Sequence, residues 1–517
     1  MQDRQNPTIP SVEPPPHPNE GQKEKVSTSH DPTTQVQQSP TQAKETQGFQ
    51  IQVGQVSPQV ARPSQLTSQE TEKLLHPKRG FPKIFLILFI VFVLLGVVAL
   101  VVYLARSKGT FFGTEGELVW WGIQHEESVY KSLIEDFEQE NPNMKVKYQQ
   151  LSPQDYRIRL TNSLASGEGP DIFEIHNSWP FMFKNELATL PASVMSPEEF
   201  NNAFYPVIVK DLTLVGEGIV AMPLEYDALT LFINEDIFAS SLQSVPTTWD
   251  ELVKKVDPAE KGSLTIRETG GRITLAGIAL GEIENVDHWP EIIALMLFQN
   301  RVNPAQPVSE LTEDVFSFYK EFKTLGVWNT SFPSSTIAFA RGEVAMYLGP
   351  SRRAYEIVKE NPDLAFKTEL LPQLPKGNPS DPNYSYATYW VHGVWERSKN
   401  KEIAWKFLKF LAERKNLEKL NQNIKNVETF SRVYPRPEMN IVFRDDSVLG
   451  SVASLALDAK SWYLADNTFD GATGVNSQLK MAFEKVLSKW PQGKETKIKE
   501  LGQGVSSVLS QYGIPQK

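Results

Sequence analysis

Between Ile84 and Ala105 the chain reads IFLILFIVFVLLGVVALVVYLA, 22 residues without a charge. At about 1.5 Å of helical rise per residue such a run is roughly 33 Å long, close to the hydrocarbon thickness of a bilayer. Helices buried in water-soluble cores seldom continue this far without a polar face. The apolar part of a cleaved leader is usually about half as long and lies near the N-terminus, not behind a long polar stretch. The expectation is one transmembrane helix over residues 81–106, with 84–105 in the membrane. Lys78, Arg79 and Lys83 precede it, and Arg106 and Lys108 follow. That small positive excess predicts a single-pass protein of the cell membrane, N-terminus cytoplasmic and C-terminal domain extracellular or periplasmic.

The run separates two kinds of chain. Residues 1–80 are rich in Gln, Pro, Ser and Thr, with eight Lys/Arg and eight Asp/Glu. Such a stretch buries too little apolar area to offset the entropy of ordering, so a disordered cytoplasmic tail is expected. A spacer at 107–116 leads to a solute-sized domain at 117–517, long enough for two lobes. Setting aside the balanced tail and the three cations Lys83, Arg106 and Lys108, the net charge of −10 becomes −13 over that domain. An acidic exterior disfavours nucleic acid and anionic lipid, which need a cationic face. There is no cysteine, which excludes disulfides, thiolate metal sites, cysteine nucleophiles and a lipid anchor on an N-terminal cysteine.

Beyond the spacer, strands and helices alternate. Leu118–Trp121 reads as a strand, followed by a helix capped at Ser128 with Val129, Tyr130, Leu133, Ile134 and Phe137 on one face. Asn141-Pro142 stops it. Met144, Val146 and Tyr148 alternate as a second strand; a helix over 154–166 ends at Gly167, and 170–175 is a third strand. This order implies a parallel sheet whose ligands gather at the strand ends, here Trp121–His125 and His176–Trp179. Strands are also expected at Leu229–Asn234, Gly342–Arg352 and Tyr386–Gly393. A helix opens at Thr247 or Thr248, another spans Lys401–Leu411, and the last ninety residues are mainly helical, with Met481, Phe483, Val486 and Leu487 on one face.

Several short pieces occur in a particular order: Trp120-Trp121-Gly122 after the first strand, Gly167-Glu-Gly-Pro-Asp171-Ile172, and Pro223-Leu-Glu-Tyr-Asp227 before Leu-Phe-Ile-Asn234. Pro246-Thr-Thr-Trp-Asp-Glu-Leu252, Phe339-Ala-Arg-Gly342-Glu-Val-Ala-Met346 and the run from Lys399 to Leu408 continue the series. Together they resemble family 1 extracellular solute-binding proteins of ABC importers, the maltose-binding-protein-like class. The resemblance covers nearly all of the domain after residue 117. Most members of that family reach the outside by a cleaved signal or a lipidated cysteine, whereas this chain has a long tail and an apolar span.

The resemblance implies an α/β, two-lobed type II periplasmic-binding-protein fold with a hinge. Lobe 1 would be about 117–224 and 388–425, and lobe 2 about 229–386 and 426–517. It implies a small-molecule solute, ABC permease subunits as partners, no cofactor and no enzymatic activity. It also places Glu225, Tyr226 and Asp227 at a crossing between the lobes, Ser351 and Arg352 on a cleft loop of the second lobe, and Trp390 at the second crossing. Asp227 would accept hydrogen bonds from ligand hydroxyls.

The residues point to a sugar-like ligand by their chemistry. Aromatic faces cover the C–H surface of a sugar ring, and polar side chains satisfy its hydroxyls. All 11 tryptophans lie after residue 117. Trp121, Trp179 and Trp390 sit at strand ends, and Trp462 and Trp289 are further cleft candidates, against core packing as the alternative. Trp249 and Trp405 read as core. Asn177, after the third strand, offers a donor and an acceptor. An oligosaccharide or polyol is the expected ligand, with a sensing or adhesion receptor as the competing class and a glycoside hydrolase behind it.

Catalytic motifs are weak. His125-Glu126-Glu127 opens like a zinc motif, but no second histidine follows four residues on. Gly216-Glu-Gly218-Ile-Val-Ala221 fits a dinucleotide fingerprint only formally, because Pro223 and a strand follow where a helix is required.

Overall fold

The computed structural model describes residues 116–378 and 380–516. The expected tail and the apolar run at 84–105 lie outside the described residues. Among the described residues no helix is long and apolar enough to cross a membrane.

The chain first builds β1 (Gly116–Gly122), β2 (Met144–Gln150) and β3 (Ile172–His176), linked by helices Glu127–Glu140 and Pro153–Ser166. The first helix buries Val129, Tyr130, Leu133, Ile134 and Phe137, the face that the sequence pattern marks. It starts two residues earlier than expected. Glu126 precedes it without capping, and Ser128 Oγ donates to the Glu126 carboxylate instead. The second helix ends at Gly167 with φ 84°, a left-handed position glycine adopts without strain.

Helices Pro197–Ala203 and Pro206–Leu212, the hairpin β4 (Thr213–Leu214) and β5 (Gly218–Ile219), and β6 (Ala221–Pro223) follow. A second sheet then forms from β7 (Leu229–Asn234), β8 (Ile266–Arg267), β9 (Ile273–Ile278), β10 (Val344–Pro350) and β11 (Phe366–Glu369). The chain returns through β12 (Trp390–Val394) to the first sheet, whose order is β2-β1-β3-β12-β6. Within it β1 is parallel to β2 and β3, while β12 is antiparallel to both β3 and β6. The second sheet runs β11-β7-β10-β9-β8.

Two α/β lobes result, and the chain passes between them at residues 224–228, 386–389 and 429–433. The three crossings are tied to one another: Tyr226 bridges to Val433, and Ala228 to Ala387. Helix Lys401–Leu411, bounded as the sequence implies, packs on β12, and helix Arg414–Glu428 packs on Glu127–Glu140. Helices Val475–Leu487 and Lys494–Tyr512 pair, and the latter lies on Glu310–Leu325 of the second lobe.

Three expectations shift. Tyr386–Tyr389 forms the crossing, so the strand there begins only at Trp390. Pro350 is itself the last residue of β10, opposite Leu229; its missing N–H falls where the ladder ends. Met481 is 54% exposed while Phe483, Val486 and Leu487 are buried. Two residues advance a helix by about 200°, so Met481 lies on the opposite face from Phe483.

Candidate functional site

The loop after β1 and the three crossings meet in one cluster of buried charge. β1 ends at Gly122, where a Cβ would come within 2.5 Å of the Tyr148 hydroxyl. Glycine leaves room for that hydroxyl to donate to the His125 carbonyl at 2.5 Å, which pins the loop. His125 is thereby buried, 3% exposed, with a carboxylate on each ring nitrogen. Nε2 lies 2.6 Å from Glu225 Oε1 on the first crossing, and Nδ1 lies 2.7 Å from Glu428 Oε1 at the end of helix Arg414–Glu428. Arg432, on the third crossing, pairs with Glu428 and approaches Glu225 at 3.6 Å.

These four groups alternate in sign. Burial disfavours a charged imidazole, but the two carboxylates more than offset it and raise the His125 pKa to about 10. Against the same cost of burial, the imidazolium holds Glu225 and Glu428 below the usual carboxylate range. Glu174 of β3 stands beside them without a cation of its own. Its Oε2 accepts the Ile123 and Gln124 amides at 2.7 and 3.2 Å, yet burial pushes its pKa up to about 7.

Opposite Glu174 in the β3–β12 register is His392. Its Nδ1 accepts from Trp120 Nε1 at 3.4 Å, so the neutral ring carries its proton on Nε2. Burial lowers the His392 pKa to about 3, which keeps the ring neutral over the physiological range.

On the second-lobe side, Asp227 is 5% exposed and takes five donors. Oδ1 accepts the amides of Ala228 and Ser351, both at 2.9 Å, and Ser351 Oγ at 2.6 Å. Oδ2 accepts the Arg352 amide at 3.1 Å and its Nη1 at 3.4 Å. Arg352 Nη1 also donates to the Thr388 carbonyl at 3.2 Å, reaching the second crossing.

Between the lobes, Gln124, Glu174, Glu225, Asp227, Arg352 and Trp390 border a pocket of about 20 Å³, water-sized. A second hollow of about 300 Å³ lies next to Asn177, Asp211, Ser461 and Trp462. Thus Glu225, Tyr226, Asp227, Arg352 and Trp390 come together at one pocket, while Asn177 and Trp462 belong to the other. Ser351 is buried under Asp227 rather than facing either. Trp179 is fully buried: it packs edge-on to Trp390 at 5.5 Å and donates Nε1 to Asn476 at 3.2 Å. It supports the pocket wall from behind. Trp121 packs against the core and borders neither hollow. Trp289 is core as well, 1% exposed, as are Trp249 and Trp405.

Two corrections concern roles. The Asp227 oxygens are taken by the protein's own donors, so in this arrangement they are not free to accept from a ligand. Asn177 spends its side chain on Asp211, at 2.9 Å, and on the Tyr389 amide, at 3.2 Å. Sequence reasoning did not find Glu174, His392, Glu428 or Arg432 as site residues. Glu174 and His392 carried one available signal: charged or titratable residues inside strands that are otherwise apolar. Glu428 at a polar helix end and Arg432 in the crossing after it carried none. Among the described residues no His/Asp/Glu group is arranged to hold a metal ion.

Comparison with known proteins matches this architecture. The profile of the family described as bacterial extracellular solute-binding protein covers residues 122–418. A Brucella abortus (strain 2308) protein named as a binding protein is 25% identical over 308 residues, 57% of this chain and 71% of its own. An ABC transporter solute-binding protein from Thermotoga lettingae TMO, solved with α-D-tagatose, superposes with a TM-score of 0.58 at 18% identity, covering 76% of this chain and 99% of that one. The sugar-binding protein MalE from Xanthomonas citri gives 0.58 at 17%, covering 76% and 98%.

Proposed function

The chain belongs to the bacterial extracellular solute-binding protein family, and from that premise we propose that it captures an uncharged, hydroxyl-rich solute between its lobes. The similar structures are binding proteins, several of them solved with sugars, and the reading here is a receptor of an ABC importer rather than an enzyme. Lobe closure would order the ligand and present a closed form to permease subunits in the same membrane.

The observation that carries the ligand class is the charge balance of the pocket. Asp227 is matched by Arg352, and Glu225 and Glu428 by His125 and Arg432. Only Glu174 lacks a cation, and near neutral pH it is about half protonated. An anionic solute would enter without a free counter-charge and lose its hydration, which costs several kcal/mol. An uncharged polyol or oligosaccharide pays no such penalty. It would find the His392 Nε2 proton, the second Glu174 oxygen and the rim of Trp390 as partners. With the pocket at about 20 Å³, the lobes must part to admit a sugar.

For the chain outside the described residues, the proposal keeps the apolar run at 84–105 as a membrane anchor that holds the receptor beside its permease. Its composition supports this, and tethering raises local concentration. Deleting residues 84–105 should move the protein from the membrane pellet to the supernatant; retention in the pellet would overturn the anchor.

Melting of the full-length chain against maltotetraose, mannobiose and tagatose, with glucuronate and glucose 6-phosphate as charged counterparts, tests the ligand class. Binding stabilises by RT ln(1 + [L]/Kd), about 2.7 kcal/mol at a hundredfold excess over Kd. A shift with a neutral sugar and none with the charged pair is the expected result. A shift with the charged pair alone would overturn it.

A further inference from the structure

The grip on the first crossing changes hands within three residues. Glu225 is held from the first lobe, by His125 Nε2 at 2.6 Å. Asp227 is held from the second lobe, by Ser351 and Arg352 on the loop after β10. Tyr226 stands alone between the two grips. Its ring is fully buried, flanked by Tyr205 at 5.1 Å and Tyr389 at 5.7 Å, and its hydroxyl makes no well-formed hydrogen bond, with the Ser385 side chain as a weak partner. An aromatic ring held mainly by stacking can slide against its neighbours without breaking a strong directional bond.

The second crossing repeats the arrangement at the same level. Tyr389 is bound to the first lobe through Asn177, backbone to backbone at 2.9 Å and amide to Oδ1 at 3.2 Å. Thr388, one residue earlier, is where the two grips meet: its hydroxyl lies 3.0 Å from His176 Nε2 of β3 in the first lobe, while its carbonyl is bound by Arg352 of the second lobe at 3.2 Å and its amide meets the Asp227 carbonyl at 3.0 Å. The third crossing follows the first: Glu428, the last residue of the first-lobe helix before it, shares His125 and pairs with Arg432 of the crossing, and the Tyr226 amide donates to the Val433 carbonyl at 2.9 Å.

We infer that His125 is a positioning residue that fastens the first and third crossings to the first lobe, so that lobe motion bends the chain along a line through Tyr226 and Thr388. This goes beyond the ligand reading above and does not depend on which solute binds. It gives a role to the His125-Glu126-Glu127 motif that metal chemistry leaves unexplained. The groups around His125 are Glu225 on the first crossing, Glu428 at the end of helix Arg414–Glu428, Arg432 paired to it from the third crossing, Glu174 from β3, His392 from β12, and Tyr130 and Tyr148 from the first lobe. Loss of the imidazolium proton near pH 10 would leave two carboxylates and one arginine, and the fastening would slacken.

The chain has no cysteine, so exposed Lys131 and Glu321, one on each lobe, can be replaced by cysteine (Lys131→Cys, Glu321→Cys) and spin-labelled in the full-length protein. Without any solute, the wild-type background should give one narrow interlobe distance from pH 6.5 to 9, broadening above pH 10. His125→Phe should broaden it at every pH, and His125→Gln, which keeps hydrogen bonds but no charge, should give an intermediate width that no longer responds to alkali. A merely structural role would lower the melting temperature and leave the distance distribution unchanged, and that result overturns the inference. If neither variant folds, the wild-type pH series decides: a distribution unchanged from pH 6.5 to 10.5 overturns it equally.

Discussion

Ser351 Oγ donates to Asp227 Oδ1 at 2.6 Å across 124 positions of sequence, and the Ser351 amide reaches the same oxygen at 2.9 Å. The second-lobe loop is therefore docked onto the first crossing through one buried carboxylate. Asp227→Ala should cost about 3–5 kcal/mol, because Arg352 is left buried without its partner. Ser351→Ala should cost about 1–2 kcal/mol. In a double-mutant cycle by urea denaturation, the pair should show a coupling of at least about 0.5 kcal/mol; additive losses would mean that the two groups act independently.

The two tryptophans in edge-on contact should separate by phenotype. Trp179 is enclosed on all sides, so Trp179→Ala should destabilise the fold by about 3–5 kcal/mol. Trp390 borders the pocket but is only 7% exposed, and Trp390→Phe should lower melting less than Trp179→Ala while weakening solute binding by up to about tenfold. Calorimetric titration alongside thermal melting reads both quantities. Equal loss of affinity from the two conservative replacements Trp179→Phe and Trp390→Phe would place neither at the ligand.

Stability should fall as pH rises from about 6.5 toward mild alkali; below that, buried His392, His176 and His288, all held low, act in the opposite sense and gain stability as pH rises. Burial raises Glu174 to about 7 and Glu291 to about 8, the latter with Asp466 adding to the effect. A carboxyl whose folded pKa lies above its unfolded value contributes stability that is complete below the unfolded value, near 4.5, and is lost as pH passes the folded one. For these two carboxyls the window is thus about pH 4.5 to 8. Glu291→Gln, at a side chain with an unpartnered Oε2, should flatten the upper part of that slope in a series of melting curves, and Glu174→Gln the part below pH 7. His125 extends the loss, from about 6.5 to 10. Glu225 and Glu428, held low, act in the opposite sense, and their contribution is lost only in acid.

Gly281 tests backbone packing away from the pocket. It has φ 93°, and a Cβ there would lie 2.4 Å from the Lys323 amide nitrogen. Gly281→Ala combines a disfavoured backbone angle with a backbone clash that no rotamer relieves, so it should cost more than about 1 kcal/mol. Gly270, at φ 111° with open space around it, isolates the conformational part: Gly270→Ala should cost less than Gly281→Ala by equilibrium denaturation.

Local patterns were legible where one residue's neighbours in sequence are also its neighbours in space. The buried face of helix Glu127–Glu140, the limits of Lys401–Leu411, the Gly167 cap and the run Leu229–Asn234 all follow from periodicity and turn chemistry. The grouping of Glu225, Tyr226, Asp227, Arg352 and Trp390 at one pocket came from no such local rule but from the resemblance to a known family, carried by the order of short pieces along the chain. What failed were assignments of direction. Met481 was given the wrong helix face, and Trp179 and Asn177 sit where the strand ends suggest but point into protein contacts.

The sequence by itself determined the alternation of strands and helices, the family, and the absence of any thiol chemistry, because each of these depends on residue type and short-range spacing. Only the tertiary structure decided which charges meet. His125 and Glu428 are 303 positions apart, and Asp227 and Ser351 124. A carboxylate's role depends on whether the three-dimensional neighbours that satisfy it are protein or solute. Distances of that kind are set by how the two sheets close on the crossings, and no local pattern encodes them.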